Sequence, residues 1–164
     1  RENRINVCVE SCGYSKFETF QDALAYIDAM FMDVKIMNPK RHKAVTGYSN
    51  ELILSNIRRI SEYGIPITIR TPVVPGYTDS PENIAEIAQF VSTLPSVKEY
   101  ELLVYHNLGE SKYGALGKSY LLKGIKPPTD EEMLTLAQLA NGILNKHGKQ
   151  CFYMKDNKKE GITC

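Results

Sequence analysis

Charged residues recur along this chain at an almost constant interval, each time closing an apolar run. Asp33 and Lys35 close Ala29-Met30-Phe31-Met32, Arg70 closes Pro66-Ile67-Thr68-Ile69, and His106 closes Tyr100-Glu101-Leu102-Leu103-Val104-Tyr105. Lys35 and Arg70 are 35 positions apart, Arg70 and His106 are 36 apart. A parallel strand–helix–strand unit takes about 30 residues or more, so the interval predicts parallel strands joined by crossover helices. In such sheets the carboxyl ends of the strands form the ligand face. Charges delivered there at every repeat point to a site.

The elements follow from pattern. Ile5–Val9 reads as a short strand with Glu10-Ser11-Cys12-Gly13 as its exit, and Phe17, Phe20, Leu24 and Ile27 fall at helical spacing. The run 29–35 is apolar throughout, as a doubly covered strand is. Residues 37–48 read as a polar connection. Ser49 or Asn50 caps a helix carrying Leu52, Ile53, Ile57 and Ile60, which Gly64 stops. The strand 65–70 runs into Thr71-Pro72-Val73-Val74-Pro75-Gly76, whose prolines argue against a central strand beyond Thr71. Ser80-Pro81 starts a helix, and a strand spans 98–105. Thr129 and Glu132 form a capping box for a helix from 130 to about 147. Residues 150–154 form a short last strand, and 155–164 read as a charged, frayed tail. The connection 106–129 is long enough to act as a lid or docking segment. The fold class is therefore α/β, with residues 1–154 forming a partial barrel of about four parallel β/α units.

At 164 residues one domain is expected. A net charge of +1 gives no electrostatic case for nucleic acid or an anionic membrane. No apolar run approaches the roughly 18 residues of a membrane span. Four cysteines without a repeating pair do not make a secreted disulfide scaffold, so a cytoplasmic setting is expected. The chain opens on Arg1 rather than Met, and a whole eight-stranded barrel needs about 250 residues. An excised piece is the expectation, with self-association through the exposed edge of its first strand. A monomer at high concentration in sedimentation would refute that association.

Five residues sit at or just past strand ends: Glu10, Asp33, Lys35, Arg70 and His106. Cations suit a carboxylate and anions suit an ammonium, so the set suits a zwitterion such as an amino-acid moiety. The bland alternative is a row of interstrand salt bridges. A second chemical reading is a Lys35 Schiff base of the barrel-aldolase kind. Cys8 and Cys12 stand in C-x3-C spacing, but position 15 is Ser15, not a third cysteine. Cys8 reads as a buried small side chain in its strand, and His42 and His147 read as solvated.

Three segments carry a resemblance. They are Asp33-Val34-Lys35-Ile36-Met37-Asn38, the run Ile69-Arg70-Thr71-Pro72-Val73-Val74-Pro75-Gly76-Tyr77-Thr78-Asp79, and Glu101-Leu102-Leu103-Val104-Tyr105-His106-Asn107-Leu108-Gly109. Together with Lys112-Tyr113, Gly117 and Lys126-Pro127-Pro128, they resemble the radical SAM glycyl-radical-enzyme activating family. The resemblance implies a six-unit partial barrel, of which this chain lacks the first two units. It implies a [4Fe-4S] cluster and S-adenosylmethionine, cleaved to place a radical on a glycyl radical enzyme of the pyruvate formate-lyase type. It also implies an electron donor such as flavodoxin or ferredoxin. By motif match the resemblance implies that Asp33 and Lys35 lie near the amino-acid moiety of S-adenosylmethionine, that Arg70 contacts its carboxylate or ribose and that His106 lies near the adenosine, while Glu10 and Ser11 stand where the family has an Asp-Thr pair. The family's cluster motif and its Gly-Gly-Glu motif are absent from these residues, so this chain by itself is expected to be inactive; the alternative is a non-catalytic, truncated binding and docking module.

Overall fold

In the computed structural model, which describes residues 5–161, the strands are β1 (Cys8–Ser11), β2 (Ala29–Asp33), β3 (Ile67–Val73), β4 (Val97–Val104), β5 (Gln150–Lys155) and β6 (Lys158–Glu160). The helices are α1 (Phe17–Leu24), α2 (Pro39–Thr46), α3 (Glu51–Ser61), α4 (Pro81–Ser92), α5 (Glu110–Ala115) and α6 (Asp130–Leu144). The sheet runs β1-β2-β3-β4-β5-β6, so spatial order follows chain order. The first five strands are parallel, and β6 returns antiparallel. Sequential order with crossover helices is the winding of a β/α barrel, in which one sheet face packs the helix layer and the other faces the barrel interior.

Side-chain alternation sorts the strands accordingly. Met30, Met32, Ile67, Ile69, Val73, Tyr100, Leu102 and Cys151 are buried against the helix layer, where Ile57, Ile60, Ile84, Ile87, Val91, Met133 and Ala140 meet them. Phe31, Asp33, Thr68, Arg70 and Glu101 occupy the alternate positions and turn to the opposite, concave face.

Four buried asparagines on or just before the helices tie this layer to the ends of the strands. The Asn50 amide donates to the Ile36 and Met37 carbonyls, and that of Asn56 to Gly13 and Ser15. The Asn83 amide donates to Lys35 and Thr78 while its oxygen accepts from Met37 N–H. Asn141 bridges both backbone groups of Cys151 and reaches Gly161. Buried backbone groups beyond a strand's end lack a ladder partner; these amides supply one. Nothing in the periodicity of the sequence announces them.

Several expectations give way. Residues 39–46 form helix α2, capped by Asn38 accepting from Arg41 N–H with Pro39 in the first turn; Asn38-Pro39 is the same start signal as Ser80-Pro81. His42 is not solvated but buried, its Nδ1 donating to the Tyr48 carbonyl at 2.7 Å. Strand β3 continues through Pro72 to Val73, paired with β4. The proline is tolerated because its missing N–H lies on the β2 side, where pairing has already ended at Asp33 and Arg70. Residues 158–160 pair with β5 as β6, turning at Asp156 and Asn157 with positive φ, rather than fraying. Cys8 is exposed, because β1 is the sheet's edge strand and Cys8 takes its concave side. Cys164 lies outside the described residues.

Candidate functional site

The carboxyl ends of β1, β2, β3 and β4 bring their charges onto one face. The register aligns Glu10 with Phe31, Asp33 with Arg70, and Arg70 with Glu101. Arg70 is the hub. Its Nε donates to Glu101 Oε2 at 2.6 Å, and its Nη1 donates to Glu10 Oε2 at 3.3 Å. Its guanidinium carbon lies 3.5 Å from the Phe31 ring centroid, a cation–π arrangement that orients the plane. Next to it Lys35 Nζ donates to Asp33 Oδ2 at 2.8 Å. Asp33 Oδ1 is buried and makes no hydrogen bond among the described residues.

The local fold explains each placement. Thr71, one residue after Arg70, turns to the helix layer, where its Oγ1 donates to the Val34 carbonyl at 2.5 Å and accepts from the Tyr100 hydroxyl at 3.0 Å. That thread fixes β2, β3 and β4 beside the charged row. Asn83 holds the Lys35 backbone from the other side. At the exit of β1, Ser11 Oγ accepts from Gly13 N–H at 3.0 Å. Gly13 itself has φ of +72°, and an added Cβ would stand 3.0 Å from Met32 Cε, so glycine permits both the turn and the close approach.

Of the sequence-derived residues, Glu10, Asp33, Lys35 and Arg70 come together as expected. Ser11 is next to them but faces the helix layer, its hydroxyl engaged in the turn. His106 is exposed, two residues past the end of β4. The reading missed Glu101, a carboxylate only 6% exposed, and Phe31. Their signal was present: a carboxylate inside the apolar run Tyr100-Glu101-Leu102-Leu103 has to be paired when buried.

Two clefts flank the row. One of about 290 Å³ is lined by Cys12, Tyr14, Asp33, Lys35, His42 and Tyr48. The other, about 500 Å³, lies between Lys35, Pro72, Val74 and Tyr77 and the 106–129 connection, which contributes Tyr113, Tyr120 and Leu121. Tyr120 accepts or donates a hydroxyl–hydroxyl bond of 2.8 Å with Tyr105 at the root of that connection. This bond pushes the Tyr105 hydroxyl up to about 12, with burial adding to it.

Lys35 is partly exposed and ion-paired, with a side-chain exposure of 32%. A Schiff-base lysine is activated by desolvation or a cationic neighbour, whereas the Lys35 Nζ faces the Asp33 carboxylate at 2.8 Å. Among the described residues no group of three or more His, Cys, Asp or Glu is placed to hold a metal ion. The described residues therefore do not fit an iron–sulfur cluster.

A sequentially wound parallel sheet with a charged row across its strand ends has the architecture of a β/α barrel, in which the carboxyl ends of the strands are the ligand face. The Radical SAM superfamily profile matches residues 1–91, and the chain belongs to that superfamily. It is 36% identical over 145 residues to the pyruvate formate-lyase-activating enzyme of Streptococcus mutans, covering 85% of this chain and 55% of the relative. It is 40% identical over 140 residues to the 4-hydroxyphenylacetate decarboxylase activating enzyme of Clostridium scatologenes, covering 84% and 45%. The chain thus spans about half the length of these relatives. A solved domain of pyruvate-formate lyase-activating enzyme from Bacteroides vulgatus superposes with a TM-score of 0.71 at 25% identity, over 94% of this chain and 84% of that one. Streptococcus suis SuiB bound to S-adenosylmethionine shares the fold, with a TM-score of 0.66 at 14% identity over 94% of this chain and 34% of SuiB. No helix of the described residues is long and apolar enough to cross a membrane.

Proposed function

We propose that these residues supply the S-adenosylmethionine-binding face of a glycyl-radical-enzyme activase working in the cytoplasm. The reading rests on relatives that are activating enzymes. The observation that carries it within the structure is the unpartnered, buried Asp33 Oδ1 beside an arginine whose Nη2 makes no hydrogen bond among the described residues. An ammonium needs the first, and a carboxylate needs the second. Both belong to the amino-acid end of S-adenosylmethionine.

In this reading Asp33 accepts from the ligand's ammonium, with Glu10 adding negative charge. Arg70 takes the carboxylate, and Lys35, held by Asp33, balances the site's charge. His106 stands at the open end of β4 for the nucleoside part, and Ser11 shapes the adjoining turn. S-adenosylmethionine would supply the hydrogen-abstracting adenosyl group after a one-electron reduction from a centre that the described residues do not supply, and the task of these residues would be to orient it and exclude water. The partner is a glycyl radical enzyme, and the electron donor a flavodoxin or ferredoxin. Among the described residues β1 is an edge strand, and its free edge is where a second copy or another segment would pair.

The test is a titration of the chain with S-adenosylmethionine, followed by amide ¹⁵N–¹H shifts. Movement concentrated at Asp33–Lys35, Arg70 and His106, and abolished in Asp33→Ala, is expected. Saturating ligand that moves none of these signals would refute the reading.

A further inference from the structure

The established motifs leave Glu101 without a role, and its setting is unusual. It sits in the body of β4, 6% exposed, in register between Arg70 on one side and the apolar Phe152 on the other. A carboxylate buried in a strand costs free energy that its partner repays only with close geometry, and an apolar residue would often serve stability as well. Among the described residues Glu101 has that geometry with one group, Arg70 Nε at 2.6 Å.

The guanidinium is then constrained on two sides. Glu101 holds Nε, and the Phe31 ring carries the plane at 3.5 Å. What remains is the far edge, Nη1 and Nη2. Nη1 has the longer contact, 3.3 Å, to Glu10, whose side chain is 65% exposed. Nη2 has no hydrogen bond among the described residues. An arginine held by Nε presents its two terminal nitrogens as a parallel fork, the geometry that matches a carboxylate bidentately.

We propose that Glu101 is a positioning residue: it locks Arg70 so that its terminal edge meets a ligand carboxylate end-on, and Glu10 is the partner that this carboxylate displaces. The inference rests on the reading of the face as an S-adenosylmethionine site, but it makes a claim about Arg70 that holds without ligand. Glu101 touches no ligand itself. Its carboxylate acts through the orientation of Arg70.

The experiment has two arms. The first uses the ligand-free chain and the Arg70 side-chain Nε–H signal in ¹⁵N–¹H spectra, assigned by its loss in Arg70→Lys. A resolved, slowly exchanging signal that collapses to solvent-like exchange in Glu101→Gln is expected. A fast-exchanging signal in the unsubstituted chain overturns the proposal, and that result does not depend on any variant folding. The second arm measures binding of S-adenosylhomocysteine to the four members of the Glu101→Gln, Arg70→Lys cycle. Each single substitution weakens binding about tenfold, and the double does so hardly more, because both remove one device. Additive losses overturn the proposal. If S-adenosylhomocysteine does not bind the unsubstituted chain at all, the functional reading fails, while the first arm still decides whether Glu101 orders Arg70.

Discussion

Thr71 is the most exacting test of how this sheet holds its charged row. Thr71→Val replaces a hydroxyl with a methyl of the same shape, so no cavity opens and β propensity is kept. Two buried groups lose their partner: the Val34 carbonyl, which receives the Thr71 proton at 2.5 Å, and the Tyr100 hydroxyl, which donates to Thr71 at 3.0 Å. Tyr100 is fully buried, and its hydroxyl is pushed up chiefly by that burial, so water does not replace the lost bond. At about 1–3 kcal/mol for each of the two stranded groups, the expected loss is roughly 2–6 kcal/mol. Tyr100→Phe alone leaves Thr71 still bonded to Val34 and costs about 1 kcal/mol. In the double variant the stranded hydroxyl is gone, so the losses sum to less than the singles by about 1–2 kcal/mol. The chain has no tryptophan, so urea unfolding is followed by far-ultraviolet circular dichroism. A Thr71→Val protein within about 0.5 kcal/mol of the unsubstituted one, or strict additivity in the double variant, refutes the reasoning.

Two further outcomes follow from the thiols and the tyrosine pair. Cys8 and Cys12 are exposed and Cys151 is buried, its thiol raised by burial; alkylation of the native chain, mapped by peptide mass spectrometry, labels the first two and spares Cys151 until denaturant is added. Equal labelling of Cys151 under native conditions contradicts the packing. Tyr105, pushed up to about 12 by its bond to Tyr120, stabilises the fold fully below the unfolded tyrosine value of about 10 and loses that contribution as pH climbs toward 12. An ultraviolet difference titration of Tyr120→Phe therefore shows one tyrosine ionising at lower pH than before, and an unchanged titration rules the pair out.

The order and type of the main elements were legible because they rest on local physics. The 35-residue rhythm, the Ser80-Pro81 start and the Thr129–Glu132 box are short-range signals, and each appears in the structure: Ser80 accepts from Asn83 N–H, and both halves of the capping box form. The same physics applied to Asn38-Pro39 would have found α2. The strand ends were legible as a charged set, and Glu10, Asp33, Lys35 and Arg70 do share one face. What the sequence left open depends on pairing between distant segments. Whether Pro72 can sit in a strand depends on where β2 stops, 39 positions earlier at Asp33. Whether Cys8 is buried depends on β1 being at the sheet's edge. Whether Glu101 is a site residue depends on a register that sets it beside Arg70, 31 positions away. Periodicity determines which side of a strand a residue takes; only the tertiary fold determines what stands opposite it, because an ion pair or a missing ladder bond is a property of two segments and not of one.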